Sequence, residues 1–215
     1  MTLYIYEHCP FCARVRYVAA VLNISLNVVI VAYDDDTTTV DLIGAKQVPV
    51  LRKEDGECVA ESLDIIDYLI ELAGSSDHRK PSLAALKWQQ AAFLPLQKLG
   101  YPRWAGMGLP EFSTESARWA WRAKKETEAL NFDALLRDTG DIAKEVEGLI
   151  IEAKEILHLG CGLQARLVDE AIVFSLLRGF CSATDIQWDS AVKNWLLSAS
   201  HNTNIPLLKQ GFPNE

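Results

Sequence analysis

An α/β domain followed by an all-α helical domain is the fold class that this 215-residue sequence predicts. Three observations carry the prediction. Over residues 1–73 the apolar pattern switches repeatedly between strand-like runs and helical spacing. From residue 83 to 215 only helical patterns occur, and all six tryptophans (Trp88, Trp104, Trp119, Trp121, Trp188, Trp195) fall there. Between them, 74–82 is polar and broken by Gly74 and Pro81, and reads as a linker (Gly74-Ser75-Ser76-Asp77-His78-Arg79-Lys80-Pro81).

The first region reads strand, helix, strand, helix, strand, strand, helix. Leu3–Tyr6 alternates as a strand, and Phe11–Leu22 follows with apolar residues at Val15, Val18, Ala19 and Leu22. Leu26–Val31 is rich in β-branched residues and reads as a buried strand. Thr37, Thr38 or Thr39 can cap a short helix that ends at Gly44. Val50-Leu51 and Cys58-Val59 flank Asp55-Gly56, a hairpin signal. Ser62 then opens a helix with Leu63, Ile66, Leu69 and Ile70 on its apolar side.

At the junction of the first strand and first helix stands Cys9-Pro10-Phe11-Cys12. A cysteine at a helix N-terminus faces unpaired backbone N–H groups and the positive end of the helix dipole, which favour the thiolate. The thiolate is the nucleophile of disulfide exchange, and a second cysteine one turn later can resolve a mixed disulfide. Pro10 fits the first turn, where its missing N–H costs nothing. A zinc site would need two further close ligands, and Cys58, Cys161 and Cys181 are isolated. No metal is therefore expected. These three read as buried small hydrophobes, His8 as a partly exposed loop residue, and Asp34-Asp35-Asp36 as a solvated cluster. Arg14 and Arg16 read equally as solvated helix-face residues or as support for the thiolate.

Composition narrows the partners. The net charge is −8, which argues against nucleic acid. Residues 1–73 carry five Lys/Arg against twelve Asp/Glu, so nearly all of that charge sits in the first region. No run of about 20 apolar residues offers a membrane span. Glu7, Arg14 and Arg16 break the pattern of a signal peptide, and the odd, sparse cysteine count fits a reducing compartment. A cytoplasmic monomer is the expectation.

The β-α-β…β-β-α order with C-x-x-C opening the first helix resembles the thioredoxin fold. That resemblance implies a cis peptide at Val48-Pro49, ahead of the third strand, facing the redox pair. Such a turn would present the Val48 backbone to a peptide-like ligand. Glu61-Ser62 opens the last helix, where a hydroxyl and free N–H groups can grip a carboxylate while Glu61 accepts from an ammonium. One group carrying both charges is the γ-glutamyl end of glutathione. The motifs Tyr4-Ile5-Tyr6, His8-Cys9-Pro10-Phe11-Cys12, Lys46-Gln47-Val48-Pro49 and Glu61-Ser62 resemble the glutaredoxins and the glutathione-binding domain of glutathione transferases. Downstream, Pro102-Arg103, Glu111-Phe112-Ser113-Thr114, Asn131-Phe132 and Ile186-Gln187-Trp188 extend the resemblance to the glutaredoxin-2 type, a dithiol glutaredoxin with a transferase-like helical domain.

The resemblance implies a glutathione-dependent thiol–disulfide oxidoreductase (electron transport through a redox-active disulfide). Cys9 and Cys12 would be catalytic, and Pro10, Phe11, Val48, Pro49, Glu61 and Ser62 would hold glutathione, the cosubstrate. Its protein partners would be glutathionylated or disulfide-containing. Two alternatives stand beside it: an omega-like glutathione transferase, which needs no Cys12, and a non-enzymatic glutathione-binding module.

In the second region helices are expected at about 83–100, 115–137, 141–158, 169–181 and 189–200, packed as a bundle with the Trp and Phe side chains as core. The transferase-like fold usually opens a buried helix here with a Ser/Thr-x-x-Asp box. Leu167-Val168-Asp169-Glu170 departs from it, and Asp169 is expected to act as a shifted cap.

Overall fold

The computed structural model describes residues 1–77 and 79–209; His78 of the linker and residues 210–215 of the second region lie outside the described residues. The first region contains β1 (Thr2–Ile5), α1 (Pro10–Val21), β2 (Asn27–Ile30), α2 (Thr38–Ile43), β3 (Val50–Arg52), β4 (Cys58–Ala60) and α3 (Ser62–Leu72). The order matches the sequence reading. The sheet runs β2-β1-β3-β4, with β1 parallel to β2 and the other two pairs antiparallel. Leu3, Ile5, Val15, Val18, Leu51, Ile65, Ile66 and Leu69 are buried without residual exposure and form the core under α1 and α3.

Two local expectations are corrected. β2 is an edge strand, not a buried one: among the described residues it pairs with β1 alone, and Val28 and Ile30 are exposed. The cap of α2 comes from Asp35, whose carboxylate accepts from the backbone N–H groups of Thr37 and Thr38, and no threonine hydroxyl caps this helix. Gly44 ends it with a positive φ of 76°, as a C-terminal glycine should. Gly56, at φ 90°, closes the β3–β4 hairpin.

The second region contains α4 (Leu83–Trp104), a 3₁₀ turn at Pro110–Phe112, α5 (Glu115–Lys125), α6 (Phe132–Arg137), α7 (Thr139–Ile156), α8 (Leu167–Phe180) and α9 (Ser190–Thr203). The expected helix over 115–137 is two helices, because α5 stops at Lys125 and Asn131 caps a new one through Ala134 N–H. α4 continues through Pro95 and Pro102. Thirteen of the fourteen residues of α8 are buried, so it is the axis of the bundle, and it packs along α1 of the first domain.

Asp169 is not the cap of α8. The helix starts at Leu167 with Arg166 at the cap position, so Asp169 stands at the third position, and its Oδ1 accepts from the Ser82 backbone N–H at 2.8 Å. A carboxylate expected to finish its own helix thus ties α8 to the start of α4. Among the described residues no helix is long and apolar enough to cross a membrane.

Candidate active site

β1 delivers the chain through Tyr6, Glu7 and His8 to Cys9, which forms the N-cap of α1 with Pro10 in the first turn. Cys9 is 7% exposed and Cys12 is 1% exposed, and both are free thiols. Burial pushes the Cys9 thiol up. Hydrogen bonds from the Cys12 thiol and from the Cys12 and Phe11 backbone, with the charge of Arg14, outweigh that and hold Cys9 below the ordinary thiol range. Cys12 goes the opposite way: burial first, then its hydrogen bond to Cys9 and the Cys9 charge, raise its pKa. The two thiols are therefore differentiated: ionisation is made easier at Cys9 and harder at Cys12.

Arg14 is not a solvated side chain. It is 2% exposed, lies over the Phe11 ring at 4.8 Å and donates to Gln89 Oε1 at 2.6 Å. Burial lowers its pKa to about 10, while Cys9 and Cys12 act to raise it, so it stays cationic at neutral pH. Among the described residues no carboxylate pairs with it, which leaves the Cys9 sulfur as its counter-charge. Arg16 is likewise occupied, donating to both carboxylate oxygens of Glu7 at 2.7 and 2.9 Å.

The second domain grips the segment just before Cys9. Arg178, fully buried in α8, donates to the Glu7 backbone carbonyl at 2.7 Å and to its carboxylate, while its Nε donates to Pro206 O. His8 is buried rather than partly exposed. It bonds Glu111 and packs among the rings of Tyr6, Phe112, Trp104 and Trp121. The three isolated cysteines are not the buried hydrophobes expected: Cys161 is exposed and Cys58 and Cys181 are half-buried.

Two adjoining cavities lie at the start of α1, and Cys9 lines the first of them. One, about 340 Å³, is lined by Cys9, Pro10, Phe11 and Val48 from the first domain and by Phe93, Tyr101, Trp104 and Trp121 from the second. The other, about 510 Å³, is lined by Phe11, Arg14, Val48, Pro49, Glu61 and Ser62. They share Phe11, Gln47 and Val48. All the catalytic and glutathione-binding residues expected from sequence except Cys12, which is 1% exposed and lines neither cavity, therefore line one continuous cleft. The Val48–Pro49 peptide is cis, and the Val48 backbone N–H and C=O make no hydrogen bond among the described residues. Glu61 adopts φ 66°, an uncommon conformation for a side-chain-bearing residue, directly before α3, whose first-turn N–H groups lack intrahelical partners.

The helical-domain wall was not legible beforehand. Phe93, Leu96, Gln97, Tyr101 and Trp104 reach the cleft because they share one face of α4, yet the same spacing marks any core-facing helix. Trp104 and Trp121 are core residues, 1% exposed, whose edges also line the cleft. Among the described residues no group of three or more His, Cys, Asp or Glu side chains is placed to hold a metal ion.

A thioredoxin-like domain with a differentiated C-x-x-C pair, closed over by a helical domain, defines a glutathione-transferase-like redox protein. Residues 3–77 match the family model for the glutathione S-transferase N-terminal domain, and residues 84–211 that for the glutaredoxin 2 C-terminal domain. Glutaredoxin 2 of Escherichia coli K12 is 32% identical over 212 residues, covering 97% of this chain and 98% of that protein. The crystal structure of glutaredoxin 2 from Salmonella typhimurium, in complex with glutathione, superposes with a TM-score of 0.88 at 30% identity over 96% of each chain. A glutathione S-transferase from Rhodospirillum rubrum F11 shares the fold alone, with a TM-score of 0.60 at 15% identity, over 93% of this chain and 87% of that one. The chain belongs to the glutaredoxin 2 family, whose members are thiol–disulfide oxidoreductases that use glutathione.

Proposed function

We propose that the chain reduces protein–glutathione mixed disulfides and protein disulfides through Cys9 and Cys12, with glutathione as cosubstrate and electron donor. The observation that carries the assignment of roles is that Cys9 caps α1 and lines the cleft whereas Cys12 is 1% exposed and does not, and the opposite displacement of the two thiols supports it. The Cys9 thiolate attacks the glutathione sulfur of a mixed disulfide. The old S–S bond breaks, the protein thiolate leaves and takes a proton from solvent, and Cys9 carries a glutathionyl group. A second glutathione thiolate attacks that group, forming glutathione disulfide and restoring the Cys9 thiolate.

The direction of attack follows from which half of the disulfide is held. The unpaired Val48 backbone fits a peptide that adds as a strand, with Pro49 shaping the turn. Glu61, Ser62 and the open first turn of α3 suit the ammonium and carboxylate of a γ-glutamyl group. Pro10 and Phe11 line the path between that end and Cys9.

For a protein disulfide, Cys9 forms a mixed disulfide with the substrate and Cys12 then attacks the Cys9 sulfur. Once Cys9 is in a disulfide, its charge and its hydrogen bond no longer hold the proton on Cys12, and the resolving thiol becomes easier to ionise. Two glutathiones then reduce the Cys9–Cys12 bond in turn. Cys12 distinguishes this reading from a transferase, which activates glutathione's own thiolate and has no use for a resolving cysteine. A monomer in the cytoplasm fits this chemistry, where glutathione keeps thiols reduced.

The test is mass spectrometry of Cys12→Ser after exposure to glutathione disulfide. A glutathionyl adduct on Cys9 is expected; Cys9 left free of it would contradict the role given to Cys9.

A further inference from the structure

The two halves of the cleft differ in charge. The Glu61 side holds Glu61 and Asp64 with Arg14, a mixed set suited to a zwitterion. The other cavity is lined by Lys46, Lys124 and Lys125, and among the described residues no Asp or Glu lines it. In a chain of net charge −8 that is an island of positive potential beside the nucleophile.

The three lysines are not equivalent. Lys46 is engaged by the Tyr33 carbonyl at 2.7 Å and by Asp36 at 2.6 Å. Lys124 and Lys125, in the last turn of α5, have no carboxylate partner among the described residues. The Lys125 ammonium lies 5.1 Å from the Tyr101 ring centroid and 5.6 Å from that of Trp121, so two aromatic faces hold it at the cavity wall. Burial lowers its pKa, and the Cys9 charge counteracts this, which places its ammonium within electrostatic reach of the thiolate. The helix dipole favours cations at this end of α5. That explains their tolerance there but not why the cavity beside Cys9 lacks acidic residues.

Resting on the glutaredoxin reading above, we infer that this cavity receives the protein side of the mixed disulfide. It selects a segment with an apolar or aromatic residue and a carboxylate beside the glutathionylated cysteine. Phe93, Tyr101 and Trp121 supply the apolar surface, and Lys124 and Lys125 the charge complement. The helical domain is then the substrate-selecting half of the enzyme, while the first domain holds the glutathionyl half that all substrates share. A positive wall also favours departure of the substrate sulfur as a thiolate, whichever residues flank it.

Two glutathionylated peptides of equal length test this, each with Phe beside the cysteine and flanked by either two Asp or two Lys. The glutathione mixed disulfide of 2-mercaptoethanol is the neutral control. With saturating glutathione, kcat/KM should favour the Asp peptide about tenfold, as expected for one charge-assisted contact. The preference should shrink as salt rises, fall to near parity in Lys124→Gln/Lys125→Gln, and persist in Lys125→Arg. Equal rates for both peptides with wild type, while the neutral control turns over, would overturn the inference and leave the glutaredoxin reading intact. A double variant that keeps the Asp preference but raises the KM for glutathione would assign the lysines to glutathione itself and also overturn it. Failure of the neutral control would remove the underlying reading and the inference together.

Discussion

Glu111 of the helical domain accepts two hydrogen bonds from His8 through one oxygen, at 2.9 Å from the backbone N–H and 2.7 Å from Nδ1. His8 immediately precedes the nucleophile, so the domain that carries no cysteine of the redox pair fixes the backbone from which the nucleophile is presented. Glu111 has no exposed surface, and among the described residues its second oxygen has no hydrogen-bond partner. Burial opposes its charge, but the two His8 bonds and the His8 ring hold its carboxyl below the usual range.

Glu111→Ala should destabilise the protein by about 1–3 kcal/mol at pH 7, because the His8 N–H is left unsatisfied in a dry environment. The pH dependence follows from the sign of the shift. A carboxyl with a depressed folded pKa contributes stability above its unfolded value, near 4.5, and loses it as pH falls through the folded value. Urea unfolding of wild type and Glu111→Gln at pH 7 and pH 4 should therefore show the gap between them narrowing in acid. A constant gap would mean that the charge of Glu111 contributes nothing.

Arg178 and Glu7 form the second tie between the domains, and both are buried. Arg178→Met leaves the Glu7 carboxylate with Arg16 alone and strips the bonds to the Glu7 and Pro206 carbonyls, so it should cost about 1–3 kcal/mol. Adding Glu7→Leu should recover part of that loss, although Arg16 then loses its own partner. Chemical denaturation of the two single variants and the double variant measures the coupling. Additive losses would show that the pair is not an interacting unit.

Gly100 leaves room for Trp104: a Cβ at position 100 would come within 2.1 Å of the indole. Gly100→Ala must displace a ring that lines the cleft and donates to Ser182 Oγ at 2.8 Å. Overpacking of this kind costs about 1–3 kcal/mol. We expect lower thermal stability, together with a higher KM for mixed disulfides. Unchanged values for both would show that the indole moves freely.

Much of the first domain was legible because its signals are local. Periodicity, Asp55-Gly56, Gly44 and the C-x-x-C junction each act within a few residues. The sequence pattern could not show that His8 and Arg14 are buried and that Arg16 is paired, since their partners Glu111, Gln89 and Glu7 lie outside α1. Distance along the chain also hid the lysine-lined wall. Lys125 is more than 100 residues from Cys9, and nothing in its neighbourhood distinguishes it from an ordinary basic residue at a helix C-terminus. Asp169 failed for a related reason: its partner is Ser82, on a helix that a capping argument does not consider.

The displacement of the two thiols is itself measurable. The alkylation rate of Cys9 against pH should rise with a midpoint below the ordinary thiol range, and Cys12→Ala should move that midpoint upward by removing the hydrogen bond from Cys12. An unmoved midpoint would assign the depression to the helix terminus and Arg14 instead.

The most direct test of the account is NADPH consumption coupled through glutathione reductase, with glutathione and the mixed disulfide of glutathione and 2-mercaptoethanol. Wild type, Cys9→Ser and Cys12→Ser would be compared side by side. The account predicts turnover by wild type, retained turnover by Cys12→Ser, and none by Cys9→Ser. Turnover that survives Cys9→Ser, or loss of activity in a folded Cys12→Ser, would contradict the roles given to the two cysteines.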